Sequence, residues 1–423
     1  MSSMPTSDAS RCYVYIQLPN SLDVVTCGLY VQQEGVGQFV YGRSYLENPR
    51  AVELELFELP LQPGTFRTTR LGGIFGSLRD ASPDAWGRRV IERQLGRGEL
   101  TEVGFLLNSP EDRAGALSFG MGSTPPAQVH QFNKVLSLPL LLEEASRFEQ
   151  GLPPSPQVDD LVNPGSSMGG ARPKNVVEDD EGLWIAKFPS RGDRWNNAAV
   201  ELAMLKLADE CGLRAASAKR VRIAGQDVLL VRRFDRERTE HGYLRHRMVS
   251  ALTVLRADEN PRAGPNERKP WSYILLADEL KRWVSEPAED LRELFRRMVF
   301  NALVSNIDDH PRNHALIAAG AHWSLSPAYD LTPAPQASTE RDLAMEVGSA
   351  QHRRANRRNL LSECVRFRLS KEDATRIIDT MKQRVSLRWR DAVRSCGGSD
   401  ADVSSIERAF DYEGFEYGSD LRG

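Results

Sequence analysis

The chain has 423 residues, 40% of them hydrophobic and 27% charged, with a formal net charge of −3. That is the balance of a globular chain long enough for two or three domains, and it supplies no global pull toward nucleic acid or membranes. No apolar run reaches membrane-spanning length, and the polar start M-S-S-M-P-T-S-D-A-S lacks the apolar core of a secretory leader.

Five cysteines are scattered at Cys12, Cys27, Cys211, Cys364 and Cys396 with no C-x-x-C pair, which argues against a disulfide framework. The expected location is the cytoplasm.

From the N-terminus, Cys12–Leu18, Val24–Gln32 and Gly37–Tyr41 read as strands, being β-rich and partly alternating runs broken by P-N and E-G-V-G turns. They predict a small antiparallel sheet. In S-P-D-A-W-G-R-R-V-I-E-R-Q, Ser82 reads as an N-cap with Pro83 at the first helical position. Gly115–Gly120 reads as a strand, S-T-P-P-A-Q as a linker and Pro139–Glu149 as a helix.

A second polar break, G-L-P-P-S-P-Q, leads into the glycine- and serine-rich stretch Pro164–Lys174. Small residues there would let backbone N–H groups approach phosphates, though the stretch is neither a Walker A box nor G-x-G-x-x-G, and a plain loop is the other reading. Short strands follow at Asn175–Glu178 and Gly182–Pro189, then a helix from about Asn196 to Cys211, then strands Ala218–Ile223 and Val228–Phe234. From Pro270 onward the apolar spacing becomes helical, in W-S-Y-I-L-L-A-D-E-L, in D-L-R-E-L-F-R-R-M-V-F-N-A-L-V-S-N, and at Lys371–Arg388 and Val403–Phe410.

The chemistry concentrates in S-N-I-D-D-H-P-R-N-H and S-P-A-Y-D-L-T-P. Asp308 is followed five residues later by Asn313, the separation of base and metal-binding amide in H-R-D-L-x-x-x-N of protein kinases. Asp330 follows after a short β-like connection. Magnesium takes oxygen ligands and keeps waters, so one carboxylate, one amide oxygen and the ATP phosphates suffice; Asp308 would then be the base. The other reading is a polar turn, since Asn, Asp and Pro favour turns.

Lys187, ending the G-L-W-I-A-K strand, suits the phosphate-contacting lysine or a lysine reaching out to solvent. Glu201, early in the next helix, could pair with it or face solvent. Asp235 in V-R-R-F-D-R reads as structural. His310, His314 and His322 lack zinc-ligand spacing, and His310 fits better as support for the Asp308 loop. The arginines of Q-H-R-R-A-N-R-R-N read as a solvated face.

Taken together, G-S-S-M-G-G-A-R-P-K, W-I-A-K-F-P, V-R-R-F-D-R, N-I-D-D-H-P-R-N-H and L-S-P-A-Y-D-L-T-P resemble the HipA-like serine/threonine kinases, the toxins of bacterial toxin–antitoxin pairs. The resemblance spans roughly Gly165 to Pro333, and the β-rich N-terminal region ending in S-P-D-A-W-G looks like the family's small subdomain. It implies an α+β, two-lobed protein-kinase-like fold with a small β-rich N-terminal subdomain and a mostly helical C-terminal lobe. The expected segments are 1–124, 125–260 as the kinase N-lobe, and 261–423 as the C-lobe.

The resemblance implies the cofactors ATP and Mg2+. Ser167, Gly169, Gly170, Lys187 and Glu201 would serve ATP, Asp308 would be the base, and Asn313 and Asp330 would hold magnesium, with His310 and Arg312 in support. It also implies autophosphorylation at Ser167, with Ser166 next, a protein substrate in translation such as an aminoacyl-tRNA synthetase, and a small helix-turn-helix antitoxin that binds DNA. DNA would be reached only through that partner, and no membrane is involved. Arg312 departs from the Lys of some members, and Y-D-L replaces the D-F-G of ordinary protein kinases. A weakly catalytic corepressor and a small-molecule kinase are the alternative readings.

Overall fold

The computed structural model describes residues 9–96, 100–127, 132–153, 155, 172–259, 271–349 and 352–417. Contacts divide the chain into two compact units. One comprises Met1–Ser190, Arg232–Glu259 and Ile317–His322; the other comprises Arg191–Val231, Asn260–Leu316 and Trp323–Gly423.

The first unit opens with a five-stranded sheet in the order β4-β3-β2-β1-β5, made of β1 (Arg11–Gln17), β2 (Val24–Gln33), β3 (Val36–Tyr41), β4 (Thr65–Thr68) and β5 (Leu117–Gly120). Its neighbours all pair antiparallel. The β2–β3 turn holds Glu34 and Gly35 at φ 48° and 75°, the double positive φ that suits a tight hairpin. One sheet face buries Cys12, Val14, Ile16, Tyr30 and Phe39 against Ile74, Phe75 and Leu78.

Short helices α1 (Arg43–Leu46) and α2 (Gly76–Asp80) precede α3 (Ala85–Leu95), α4 (Glu102–Asn108) and α5 (Leu138–Glu149). Helix α3 starts two residues later than the Ser82–Pro83 reading. Its cap is Asp84, whose carboxylate accepts the Gly87 N–H at 2.7 Å. A carboxylate oxygen suits an N-terminus whose N–H groups lack partners, and Pro83 stays outside, its carbonyl taking Arg88 Nε.

The short β6 (Asn133–Lys134) lies parallel to β7 (Lys174–Asp179), which pairs antiparallel with β8 (Gly182–Lys187). The acidic turn between β7 and β8 closes on Asp179, whose carboxylate accepts the N–H groups of Glu181 and Gly182 and the Trp184 indole.

The stretch R-R-F-D-R belongs to this first unit and works as a clamp. Arg233 donates to Asp235 and to the carbonyls of Asp112 and Arg113. Arg236 donates to Asp235, Arg113 and Gly115, and the Gly115 N–H completes the carboxylate. Burial alone would raise the Asp235 pKa, but the two guanidinium groups outweigh it and hold the carboxyl below its usual range. Asp235 is therefore structural, as its place after an apolar strand suggested.

In the second unit, β9 (Ala218–Ile223) and β10 (Gln226–Arg232) pair as a hairpin from Val231 opposite Ala218 to Gln226 opposite Ile223. The helices are α6 (Asn197–Glu210), α7 (Tyr273–Trp283), α8 (Pro287–Leu303), α9 (Arg357–Ser362), α10 (Lys371–Ser395) and α11 (Asp400–Ile406). Helix α10 runs past the expected Arg388 because Trp389, Ala392 and Val393 continue its buried stripe. Helix α11 starts before Val403 because Ser399 and Asp402 form a capping box. Among the described residues, no helix is long and apolar enough to cross a membrane.

Candidate active site

The Asp308 loop hangs from the C-terminal end of α8, a helix whose buried polar residues serve as anchors. Asp290 accepts the Leu325 N–H at 3.2 Å, Glu293 accepts the Arg214 N–H and Arg297 Nε, and Arg297 also donates to the Ser326 carbonyl. The segment leading to Asp330 is thus tied to the helix that leads to Asp308. After α8 the chain turns sharply at Ser305, where φ is 52°. The Ser305 hydroxyl donates to the Ala409 carbonyl at 2.6 Å and accepts from Arg341 Nε at 3.1 Å.

The two adjacent aspartates then part company. Asp308 is exposed, while Asp309 is 1% exposed. Asp309 accepts the Tyr273 hydroxyl and pairs with His314 Nε2 at 3.0 Å. Asn301 donates to the Tyr273 hydroxyl at 3.0 Å, and Asn306 donates to Asn301 Oδ1 at 3.1 Å. All five residues of this chain are buried; the bonds among them fix their side chains, while Asn306 Oδ1 and His314 Nδ1 have no partner among the described residues. Burial first, and the Asp309 carboxylate second, push the Tyr273 hydroxyl well above its ordinary pKa, so it stays a donor.

The same network reaches the candidate metal segment. Asn306 Nδ2 lies 3.4 Å from the Asp330 carbonyl, and the Tyr329 hydroxyl donates to the Arg312 carbonyl at 2.7 Å. Asp330 sits at φ 59°, a left-handed conformation uncommon for a non-glycine residue and often found at functional sites. Flanking backbone bonds run from Ala328 to Arg214 and from Ala334 to Ser305.

Asn313, 8% exposed, donates its Nδ2 to the Asp308 carbonyl at 3.3 Å. Its amide is thereby oriented, and the oxygen is the end left for a cation. An amide oxygen and a half-buried carboxylate are hard donors of the type magnesium takes, so Asn313 and Asp330 fit that ion. Among the described residues, no group of three or more His, Cys, Asp or Glu side chains is placed to hold a metal; a site completed by an amide, waters and phosphates needs no such group.

His310 contributes through its backbone, its N–H donating to the Asp308 carbonyl and its carbonyl accepting from Asn313, while its ring meets Trp271 edge-on. Buried imidazole support for the loop comes from His314. The Asp309–Tyr273–Asn301 chain escaped the sequence reading; the doubled aspartate of N-I-D-D-H was the available signal.

Lys187 ends β8 in the first unit, half-buried, directly opposite Lys174. Glu201 lies in α6 of the second unit at 6% exposure, which excludes the solvent-facing reading. Ser166, Ser167, Gly169 and Gly170 lie outside the described residues. The arginine cluster is partly neutralised within the protein: Arg354 meets Asp342 and Glu340, and Arg357 meets Asp379 and Glu416.

Residues 166–389 match the family model of the HipA-like C-terminal domain, and residues 24–120 match the HipA N-terminal domain. The chain belongs to the HipA-like family. The HipA of Shewanella oneidensis MR-1, solved with HipB and its operator DNA, aligns over 94% of both chains with a TM-score of 0.68 at 17% identity. That likeness establishes the mixed fold of this HipA-like protein, with its β-rich N-terminal region and helical C-terminal part. Two curated relatives are kinase candidates. Y4mE of Sinorhizobium fredii is 24% identical over 69% of this chain and 71% of its own length, and a protein of Haemophilus influenzae is 26% identical over 49% and 66%.

Proposed function

We propose that this HipA-like protein is an ATP- and magnesium-dependent serine/threonine protein kinase. The observation that carries the reading is the pair Asp308 and Asp309: one carboxylate exposed, its neighbour buried and hydrogen-bonded so that the loop is fixed. Asp308 orients the acceptor hydroxyl and takes its proton, an effect of roughly 10²–10⁴-fold for a positioned base. Asn313 and Asp330 hold magnesium, which when bound offsets the charge of the ATP phosphates. Lys187 contacts those phosphates, Glu201 pairs with it, and Ser167, Gly169 and Gly170 belong to the phosphate loop. His310 and Arg312 support the loop through their backbone.

Beyond the reaction type, the proposed self-modification is at Ser167, or else Ser166, where a phosphoserine of charge about −2 would be repelled from a site for ATP phosphates. The proposed substrate is a protein of the translation apparatus, such as an aminoacyl-tRNA synthetase. The proposed partner is a small DNA-binding helix-turn-helix antitoxin, by analogy with the HipA solved together with HipB and operator DNA.

The test is intact and peptide mass spectrometry after incubation with Mg-ATP, beside Asp308→Asn. Phosphate on Ser166 or Ser167 in the wild type alone is the expected result. If the wild type arrives unphosphorylated, gains no mass and labels no lysate protein, the kinase reading fails and the corepressor reading leads.

A further inference from the structure

The S-P-D-A-W-G stretch of the N-terminal region meets strand β7 inside the first unit. Lys174 Nζ lies 3.1 Å from Asp84 Oδ2, with the two side chains only 3% and 4% exposed. A fully desolvated ion pair is costly to form and more costly to break from one side. Asp84 is itself held firmly. Its other carboxylate oxygen caps α3 at Gly87, its carbonyl accepts the Arg88 N–H, and α3 rests on α5 through Trp86 and Phe148 with ring centroids 4.7 Å apart.

Lys174 is the first residue of β7, and in the antiparallel register it faces Lys187. Directly opposed residues share a sheet face and are side-chain neighbours, and like charges there destabilise. The adjoining backbone is pinned as well, the Phe188 N–H donating to the Pro173 carbonyl at 3.0 Å. Asp84 thus neutralises and fixes a cation that stands against the lysine assigned to the phosphates.

We propose that Asp84 is a positioning residue of the nucleotide-phosphate site, acting through Lys174 to fix the strand end opposite Lys187. The proposal rests on the reading that Lys187 contacts ATP phosphates. It makes the N-terminal region a working part of the nucleotide site.

The experiment is calorimetric titration of full-length wild type, Asp84→Asn, Lys174→Met and the double variant. The probes are a non-hydrolysable ATP analogue with magnesium, and adenosine as the phosphate-free control. Asn keeps an acceptor for the α3 cap and removes only the charge. Asp84→Asn is expected to weaken the analogue about tenfold while adenosine stays within about twofold, and the double variant is expected to be no worse than the weaker single variant, as for residues acting through one another. An unchanged ratio of analogue to adenosine affinity overturns the proposal, and so does a double variant that loses the product of the two single effects.

If Asp84→Asn does not fold, the double variant replaces it, since it leaves no lone buried charge. The same loss of analogue over adenosine supports the proposal there, and a wild-type ratio overturns it. A wild type that does not bind the analogue removes the kinase reading itself and this proposal with it, whereas wild-type binding with an unmoved ratio removes this proposal alone.

Discussion

The clamp at residues 232–236 and the loop at residues 305–314 are both short polar stretches following apolar segments, and each places an aspartate at its centre. In the clamp, Asp235 is 1% exposed and every contact faces inward, to Arg233, Arg236 and Gly115. In the loop the inward role falls to Asp309, with Tyr273 and His314, and the neighbouring Asp308 is left exposed. Under the proposed kinase function, the comparison separates holding from reacting. A carboxylate saturated by buried donors has no capacity to accept a proton from a substrate, and one beside a saturated neighbour is positioned at little cost to its reactivity.

The largest effects test that division directly. Asp308→Asn should lower phosphoryl transfer about 10²–10⁴-fold while the unfolding midpoint stays at the wild-type value, because its side chain is exposed. Asp235→Asn should do the reverse, costing about 3–5 kcal/mol of stability by leaving buried guanidinium charge without its counter-charge. Urea unfolding and a phosphorylation assay on both variants suffice. A destabilised Asp308 variant, or an Asp235 variant of wild-type stability, would erase the distinction.

Much of this organisation was legible from the residues. The three N-terminal strands, the β9–β10 hairpin and the α6–α8 helices follow from alternation, turn residues and three- and four-residue spacing, signals that lie within a few neighbours along the chain. Order and separation marked Asp308, Asn313 and Asp330 as candidates, and the structure sets the Asn313 amide on the Asp308 carbonyl and the Asn306 amide on that of Asp330. What could not be read was which polar groups meet across long separations. Asp84 looked like the interior of a helix starting at Ser82, and nothing local marks its partner as Lys174, 90 residues away. Tyr273 sat in a helical pattern as one more apolar residue, and only tertiary packing brings its hydroxyl to Asp309. The same limit hid the clamp's partners, Asp112, Arg113 and Gly115.

Glu55 offers a different way to sharpen the contrast, since it is a buried carboxylate held by backbone N–H groups. Burial raises its pKa to about 7, and the N–H groups of Phe57, Glu58 and Leu59 pull it only part of the way back. A raised folded-state value means that the native protein binds the proton more tightly than the unfolded chain. The contribution to stability is therefore complete below the ordinary value near 4.5 and is lost as pH rises toward 7. The loss should reach on the order of 3 kcal/mol, and Glu55→Gln should abolish it, which urea unfolding of both proteins at pH 5 and pH 7.5 would reveal. Asp235, held below its usual range, behaves oppositely: its contribution is present above the unfolded carboxylate range and is lost only as the solution becomes strongly acidic.

Tyr273→Phe probes the smallest of these effects and the one nearest the chemistry. The ring and its packing remain, and only the hydroxyl that donates to Asp309 and accepts from Asn301 is removed. Asp309 keeps His314 and Asn301 keeps Asn306, but each loses one buried hydrogen bond, at a cost of about 1–3 kcal/mol. Because Asp309 fixes the backbone of Asp308 without touching substrate, the loop should loosen without losing any group that binds nucleotide. The expected signature is kcat lowered about tenfold, the size of effect expected when a positioned base moves slightly, with the KM for ATP unchanged. A variant that loses stability but keeps its kcat would mean that Asp308 is placed by the backbone turns at Ser305 and His310 alone. A rise in KM with kcat intact would instead move the role of this network from the base to the nucleotide.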